Sequence, residues 1–315
     1  MKEYTLTVAG YRIRFVSASG GPDLVPAERF HRNISEEGLN DLLIRVHSGK
    51  PEKPSDMKRV FHAPLIEEID GLPVHKLENF WSVYSHGSGL MLKTVFPRMS
   101  GGGHPESDAP DAEPGNELTG MLAYSLDAKE WDLYVEGEAT EFDPFEYPLD
   151  GLILYYLTVM HGDIFIHGSA VEYNGRGYLF TGVSGAGKTT MASLWEKEGA
   201  TVIHDDRLII RKIDDKFVMF NTPVYNNEEP RSTPLSAIYL IDHGTQNELL
   251  PMRGAMALSR IMSNCIQHNW STDLIGKLTG SLYELTQKVP IAAYWFLPDN
   301  TAVKYIRSHG ESGRR

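Results

Sequence analysis

The chain has 315 residues, enough for one large domain or two modest ones with a sizeable core. Hydrophobic residues make up 41% and charged residues 23%, and 30 Lys and Arg stand against 42 Asp and Glu, a formal charge of −12. That balance is typical of soluble globular proteins and argues against nucleic acid as a partner, because a phosphate backbone requires a basic face. The longest apolar run, Leu152 to Met160, is far too short to cross a bilayer, so no membrane partner is expected.

The N-terminal half reads as strands. Tyr4 to Val8 and Tyr11 to Phe15 alternate with the period of two of half-buried strands, and Ala9-Gly10 between them predicts a tight hairpin turn. Similar runs occupy Phe80 to Tyr84, Gly89 to Phe96, Met121 to Leu126 and Trp131 to Glu136. Trp81 and Trp131 are expected in the core. Glu67-Glu68-Ile69-Asp70 reads as a solvated acidic turn. Between Ser100 and Gly120 the composition turns to Gly, Pro, Asp and Glu, which predicts a flexible loop between two strands.

A domain boundary is expected near Pro144 to Asp150, giving a mainly β region over residues 1–148 and an α/β domain over 149–315. The second region opens with an apolar helix, Leu149 to Met160. Short strands follow at Ile164 to His167, Ala170 to Tyr173 and Tyr178 to Thr181, the last two joined by an Asn174-Gly175 hairpin turn. A glycine-rich loop leads to a helix over Lys188 to Lys197. Thr201 to His204 is the next strand, and Arg207 to Arg211 with Lys216 to Phe220 form a pair around Asp214-Asp215. Ala237 to Ile241 is a buried strand, with His243 in the loop after it. Helices at Met256 to Gln267 and Thr272 to Gln287, a strand at Ala292 to Phe296 and a short helix at Ala302 to Ile306 complete the pattern. A frayed tail runs from Ser308.

Cys265, the single cysteine, is expected buried in the first of those two helices. It excludes an intrachain disulfide. With a start, Met1-Lys2-Glu3-Tyr4, that lacks a basic and apolar leader, it predicts a cytoplasmic protein. His161 and His268 have no companions at metal-ligand spacing, so no zinc site is expected.

Gly182-Val183-Ser184-Gly185-Ala186-Gly187-Lys188-Thr189 matches the phosphate-loop pattern G-x-x-x-x-G-K-[ST] at every fixed position, between an apolar strand and a helix. Glycines allow backbone angles closed to other residues and let amides come close to phosphates. The helix N-terminus adds free N–H groups and the positive end of its dipole. Gly182, Ser184, Gly185, Ala186, Gly187, Lys188, Thr189 and Thr190 are therefore the expected nucleotide contacts. Lys188 would reach the β- and γ-phosphates, and the Thr189 hydroxyl would reach Mg²⁺. ATP with Mg²⁺ is the implied ligand.

His204-Asp205-Asp206 ends the strand after the loop's helix, at the C-terminal edge where α/β sheets bind ligands. One carboxylate is suited to a metal and the other to taking a proton from an acceptor hydroxyl. His167 begins the hairpin that feeds the loop, where a nearby carboxylate would hold it charged. An acidic turn and a purely structural histidine are the alternatives.

The succession His167-Gly168-Ser169-Ala170-Val171, Gly182 to Thr189, and His204-Asp205-Asp206-Arg207 resembles the catalytic domain of the HPr kinase/phosphorylase family, over about a quarter of the chain, Gly162 to Ile241. The resemblance implies a P-loop kinase domain of the HPr kinase/phosphoenolpyruvate carboxykinase fold and Mg²⁺-dependent phosphorylation of a hydroxyl by ATP. By the family pattern Asp205 is the base, Asp206 and Glu229 lie near the metal, and His167 sits beside the acidic pair. Glu229-Pro230-Arg231 is the counterpart of the family's Glu-x-Arg element, with Glu228 as an alternative register, and it places Arg231 among the nucleotide contacts. The family forms hexamers, so a homo-oligomer is also implied. Thr189 stands where the family has Ser. The family's Arg-rich C-terminal segment has no counterpart, and the N-terminal half is unlike the family's, which leaves the hydroxyl-bearing acceptor open.

Three functions compete on these residues. They are a kinase acting on a hydroxyl of a small molecule, peptide or protein, a regulatory or assembly protein that binds nucleotide with little or no transfer, and a carboxykinase-like enzyme. The last requires further metal and substrate ligands that the sequence does not supply.

Overall fold

The computed structural model describes residues 1–36, 38–52, 55–69, 72–87, 89–96, 118–137, 139–223, 228–268 and 270–309. The chain is mixed α/β and divides into two compact units, Met1–Ile153 and Leu154–Val224 with Glu229–Arg315. The division falls inside helix α1 (Leu149–Met160), whose bounds match the sequence reading.

In the first unit β1 (Glu3–Val8) and β2 (Tyr11–Ser17) form the predicted hairpin. Ala9 and Gly10 both take positive φ, 51° and 79°, the geometry that matches a two-residue turn to the twist of its strands. The short strands β3 (Asp23–Leu24) and β4 (Ile34–Ser35) follow. Then come β5 (Leu42–Ser48), β6 (Lys58–Ile69), β7 (Leu72–His86), β8 (Gly89–Phe96), β9 (Leu118–Tyr124), β10 (Glu130–Glu136) and β11 (Glu141–Phe142).

Nine of these strands make one sheet in the order β4-β1-β2-β5-β10-β9-β8-β7-β6. One face carries the core. Tyr11, Ile13 and Phe15 of β2, Ile44 and Val46 of β5, and Trp131 and Leu133 of β10 are all buried. Each alternates with a more exposed neighbour, as strand geometry requires. Trp81 is half-buried against Phe61. Glu67 and Glu68, read above as a turn, belong to β6 and pair with Val74 and Pro73 of β7. Of the predicted Ser100 to Gly120 loop, Leu118 to Gly120 open β9 and the rest lies outside the described residues.

The second unit contains β12 (Ile164–Tyr173), β13 (Arg176–Thr181), α2 (Lys188–Lys197), β14 (Thr201–Ile213), β15 (Lys216–Asn221), β16 (Ser232–His243), β17 (Glu248–Met252), α3 (Gly254–Met262), α4 (Thr272–Lys288), β18 (Ile291–Phe296) and α5 (Thr301–His309). Its sheet runs β13-β12-β14-β15-β16-β18-β17, and β13 also pairs with β16. Strands β13, β16 and β18 are parallel neighbours, so their C-terminal ends lie along one edge. Helix α4 buries Leu274, Leu278, Leu282 and Leu285, a helical spacing, each worth about 1.5–3 kcal/mol, and the last three join the core on one face of this sheet. Helices α2 and α5 cover the core on the other face, around Trp195, Tyr239 and Phe296.

Several expectations change here. The separate strands at Ile164 to His167 and Ala170 to Tyr173 are one strand. Gly168 lies within it, paired to Asp206, and no side chain fits there: a Cβ would come 2.8 Å from Leu179 and 2.9 Å from the Phe180 carbonyl. Thr201 to His204 and Arg207 to Arg211 are likewise one strand, β14, with Asp205 and Asp206 inside it and held by pairing to β12. The acidic pair is therefore mid-strand and does not end it.

Helix α3 stops at Met262, short of the predicted Gln267. Beyond it Cys265 bridges to Ile166 and the Ile266 amide bonds the Phe165 carbonyl at 2.8 Å. Cys265 is buried but not helical, and burial pushes its thiol pKa up. Strand β17 escapes sequence reading because it contains Pro251, tolerated on an edge strand. Ser308, expected to start a frayed tail, is still helical within α5, and residues 310–315 lie outside the described residues. Among the described residues no helix is long and apolar enough to cross a membrane.

Candidate functional site

The Gly182–Thr189 loop leaves β13 and enters α2. Gly182 passes so close to β16 that a Cβ would lie 2.7 Å from the Ile241 carbonyl. Gly185 and Gly187 take φ of 80° and 92°, the left-handed region that favours glycine. Ala186 is buried, whereas Val183, Ser184, Gly185, Thr189 and Thr190 are exposed. Lys188 folds across the loop, its Nζ donating to the Gly182 and Val183 carbonyls, both at 3.0 Å.

Helix α2 begins at Gly187 with no side-chain cap and no acidic residue in its first turn. The Met191 amide makes the first turn's bond, to the Gly187 carbonyl at 2.9 Å, which leaves the Lys188, Thr189 and Thr190 amides as free helix-end donors. A lysine here opposes the helix dipole unless an anion accompanies it. The donor set and the glycine geometry fit a triphosphate.

The strands beside the loop bring His167, Asp205 and Asp206 together. At the end of β13 the Thr181 hydroxyl donates to the His167 carbonyl at 2.6 Å. Across the β12–β14 ladder His167 opposes Arg207, Gly168 opposes Asp206 and Ser169 opposes Asp205. The fully buried Ser169 donates its hydroxyl to Asp205 Oδ1.

Asp206 Oδ1 lies 3.4 Å from His167 Nδ1, and Arg207 Nε donates to Asp206 Oδ2 at 3.2 Å. Burial pushes the Asp206 carboxyl up. The His167 hydrogen bond and the positive charges of Arg207 and His167 outweigh that and hold it below the usual carboxylate range. An ionised carboxylate at this position suits a divalent cation.

Glu229 and Arg231 lie on the segment entering β16. Glu229 is exposed, and its backbone carbonyl accepts from Asn221 Nδ2 at 3.0 Å. Arg231, read above as a nucleotide contact, donates from Nη1 to the Val202 carbonyl of β14 at 2.7 Å.

Sequence reading gave no role to Ser169, Arg207 or His243. Ser169 and Arg207 stood within the quoted segments, and the ladder sets them opposite Asp205 and His167. His243, expected in a loop, is the last residue of β16, and its Nε2 lies 2.9 Å from the Gly185 carbonyl. His268 is buried against Tyr155 and Tyr156.

A comparison with protein-family models finds no match, and neither does one with curated proteins. Among solved structures the chain is similar to the Hpr(Ser) kinase/phosphatase from Coxiella burnetii, at 9% identity and a TM-score of 0.30, over 47% of this chain and 97% of that one. A TM-score this low defines no shared fold, so the residues themselves carry the functional reading.

Proposed function

We propose that this protein is an ATP- and Mg²⁺-dependent kinase of the HPr kinase-like class, transferring the γ-phosphoryl group to a hydroxyl of a small molecule, peptide or protein. The observation that supports this most is the adjacency of loop and carboxylates. The strand that feeds the Gly182–Thr189 loop is bonded to β12, and β12 is paired residue for residue with the stretch of β14 that carries Asp205 and Asp206.

In this reading the loop amides and Lys188 bind the phosphates. Thr189 and Asp206 would hold Mg²⁺, which neutralises phosphate charge when bound. Glu229 stays a candidate third ligand. Asp205 takes the acceptor's proton, and Ser169 fixes one of its oxygens. His167 and Arg207 keep Asp206 ionised. Overall the protein is acidic, so the local donors of this loop are what attract the nucleotide.

The test is incubation with γ-labelled ATP and Mg²⁺, with and without cell extract, for wild type and Asp205→Asn. The expected result is label on an acceptor, reduced roughly a hundredfold or more in the variant with nucleotide affinity retained. Label left on ATP, or found only as free phosphate, would replace the kinase reading with that of a regulatory nucleotide-binding protein.

A further inference from the structure

His243 lies outside the residues given a role above, yet it touches the loop. The Gly185 carbonyl can only accept, so the imidazole Nε2 carries hydrogen and donates to it across 2.9 Å. The ring itself is held in place. It stacks on the buried Phe296 at 5.9 Å between centroids and 28° between planes. Its backbone is paired to Phe296 in the β16–β18 ladder, and its amide donates to Asp242 Oδ1 at 2.8 Å. Phe296 in turn underlies the second left-handed glycine, where a Cβ at Gly187 would come 2.8 Å from Phe296 Cζ and 3.5 Å from His243 Cε1.

We infer that His243 is a positioning residue of the phosphate loop, anchoring the Gly185–Ala186 peptide so that its amide faces the loop interior. The inference rests on the reading of that loop as a triphosphate site. In a trans peptide the carbonyl and the following N–H point in opposite directions. With the Gly185 carbonyl fixed on His243, the Ala186 amide is turned inward, where it bonds the Val183 carbonyl at 3.1 Å. The same carbonyl accepts from Lys188. His243 thus holds the outside of a peptide whose inner N–H closes the turn on the Val183 carbonyl that also holds Lys188. The anchor is needed because Gly185 has little steric preference of its own and could otherwise let this peptide flip.

The test is titration of full-length wild type, His243→Leu, His243→Gln and His243→Asn with a fluorescent ATP analogue and Mg²⁺, together with urea midpoints. A glutamine places its amide N–H near the position of Nε2, whereas an asparagine is one methylene too short. The expected result is a Kd raised roughly fivefold in His243→Leu and His243→Asn and restored in His243→Gln, at unchanged urea midpoints. Unchanged affinity in His243→Leu overturns the inference. So does a glutamine variant as weak as asparagine, which also decides the matter if the leucine variant does not fold. Absence of binding by the wild type overturns the phosphate-loop reading and this inference together. Wild-type binding with indifferent variants overturns this inference alone.

Discussion

In the first unit Asp143 accepts only neutral donors, whereas in the second Asp206 faces a histidine and an arginine. Asp143 Oδ1 accepts from the Tyr4 hydroxyl at 3.0 Å and the Phe145 amide at 2.9 Å, and Oδ2 accepts from the Ala27 amide at 2.9 Å. Burial dominates there. Despite these bonds the carboxyl is pushed up to about 6. At Asp206 burial acts in the same direction, but His167 and Arg207 reverse the outcome. At Asp143 the hydrogen bonds from neutral groups favour the charged form but do not offset burial, whereas at Asp206 a histidine and an arginine tip the balance. The first carboxylate serves folding. The second is kept ionised, as the proposed metal role requires.

The contrast fails most completely if the second unit binds no nucleotide. Lys188→Ala is expected to abolish ATP·Mg²⁺ binding in a titration, and wild-type affinity in that variant would remove the functional half of the comparison. Next in size, Asp143→Ala leaves the three donors around it without their acceptor. It should cost about 3 kcal/mol by urea denaturation, with nucleotide affinity unchanged.

A pH series sharpens the contrast. Asp143 has a raised folded pKa, so its contribution to stability is fully present below about pH 4 and is lost as pH rises through about 6. His268 works in the other direction: burial lowers its pKa to about 3, so its contribution is present above about pH 6.5 and is lost as pH falls toward 3. The two slopes oppose each other between about pH 4 and 6. Urea midpoints across that range should therefore fall with rising pH in His268→Phe and climb in Asp143→Asn.

The smallest effect is expected from His167→Ala, which removes one of the two cationic neighbours of Asp206. The Asp206 pKa, followed by NMR, should move up toward the ordinary carboxylate range. Since a depressed pKa gives stability that is lost as pH falls through it, the variant should lose part of its advantage above that range. An unmoved pKa would mean that Arg207 alone holds the charge.

Much of the second unit was legible from local chemistry. Helix α2 and helix α1 begin and end where their patterns predict. The Asn174-Gly175 turn takes the positive φ values, 53° and 73°, that its residues favour. The phosphate-loop spacing and the glycines within it are properties of the sequence itself, because they depend on residues a few positions apart, and the order of His167, loop and acidic pair is read directly along the chain. The tertiary structure decided what depends on distant partners. It made β12 continuous through Gly168, because β14 pairs with it on both sides of that residue, where Leu179 and the Phe180 carbonyl leave no room for a side chain. It also carried β14 through two aspartates, because β12 supplies the matching ladder. The Ser169–Asp205 bond, the opposite shifts of Asp143 and Asp206, and the His243 contact with Gly185 all join residues far apart in the chain. No local pattern encodes them, since charge and hydrogen bonding at a site are set by what folding brings within a few ångströms.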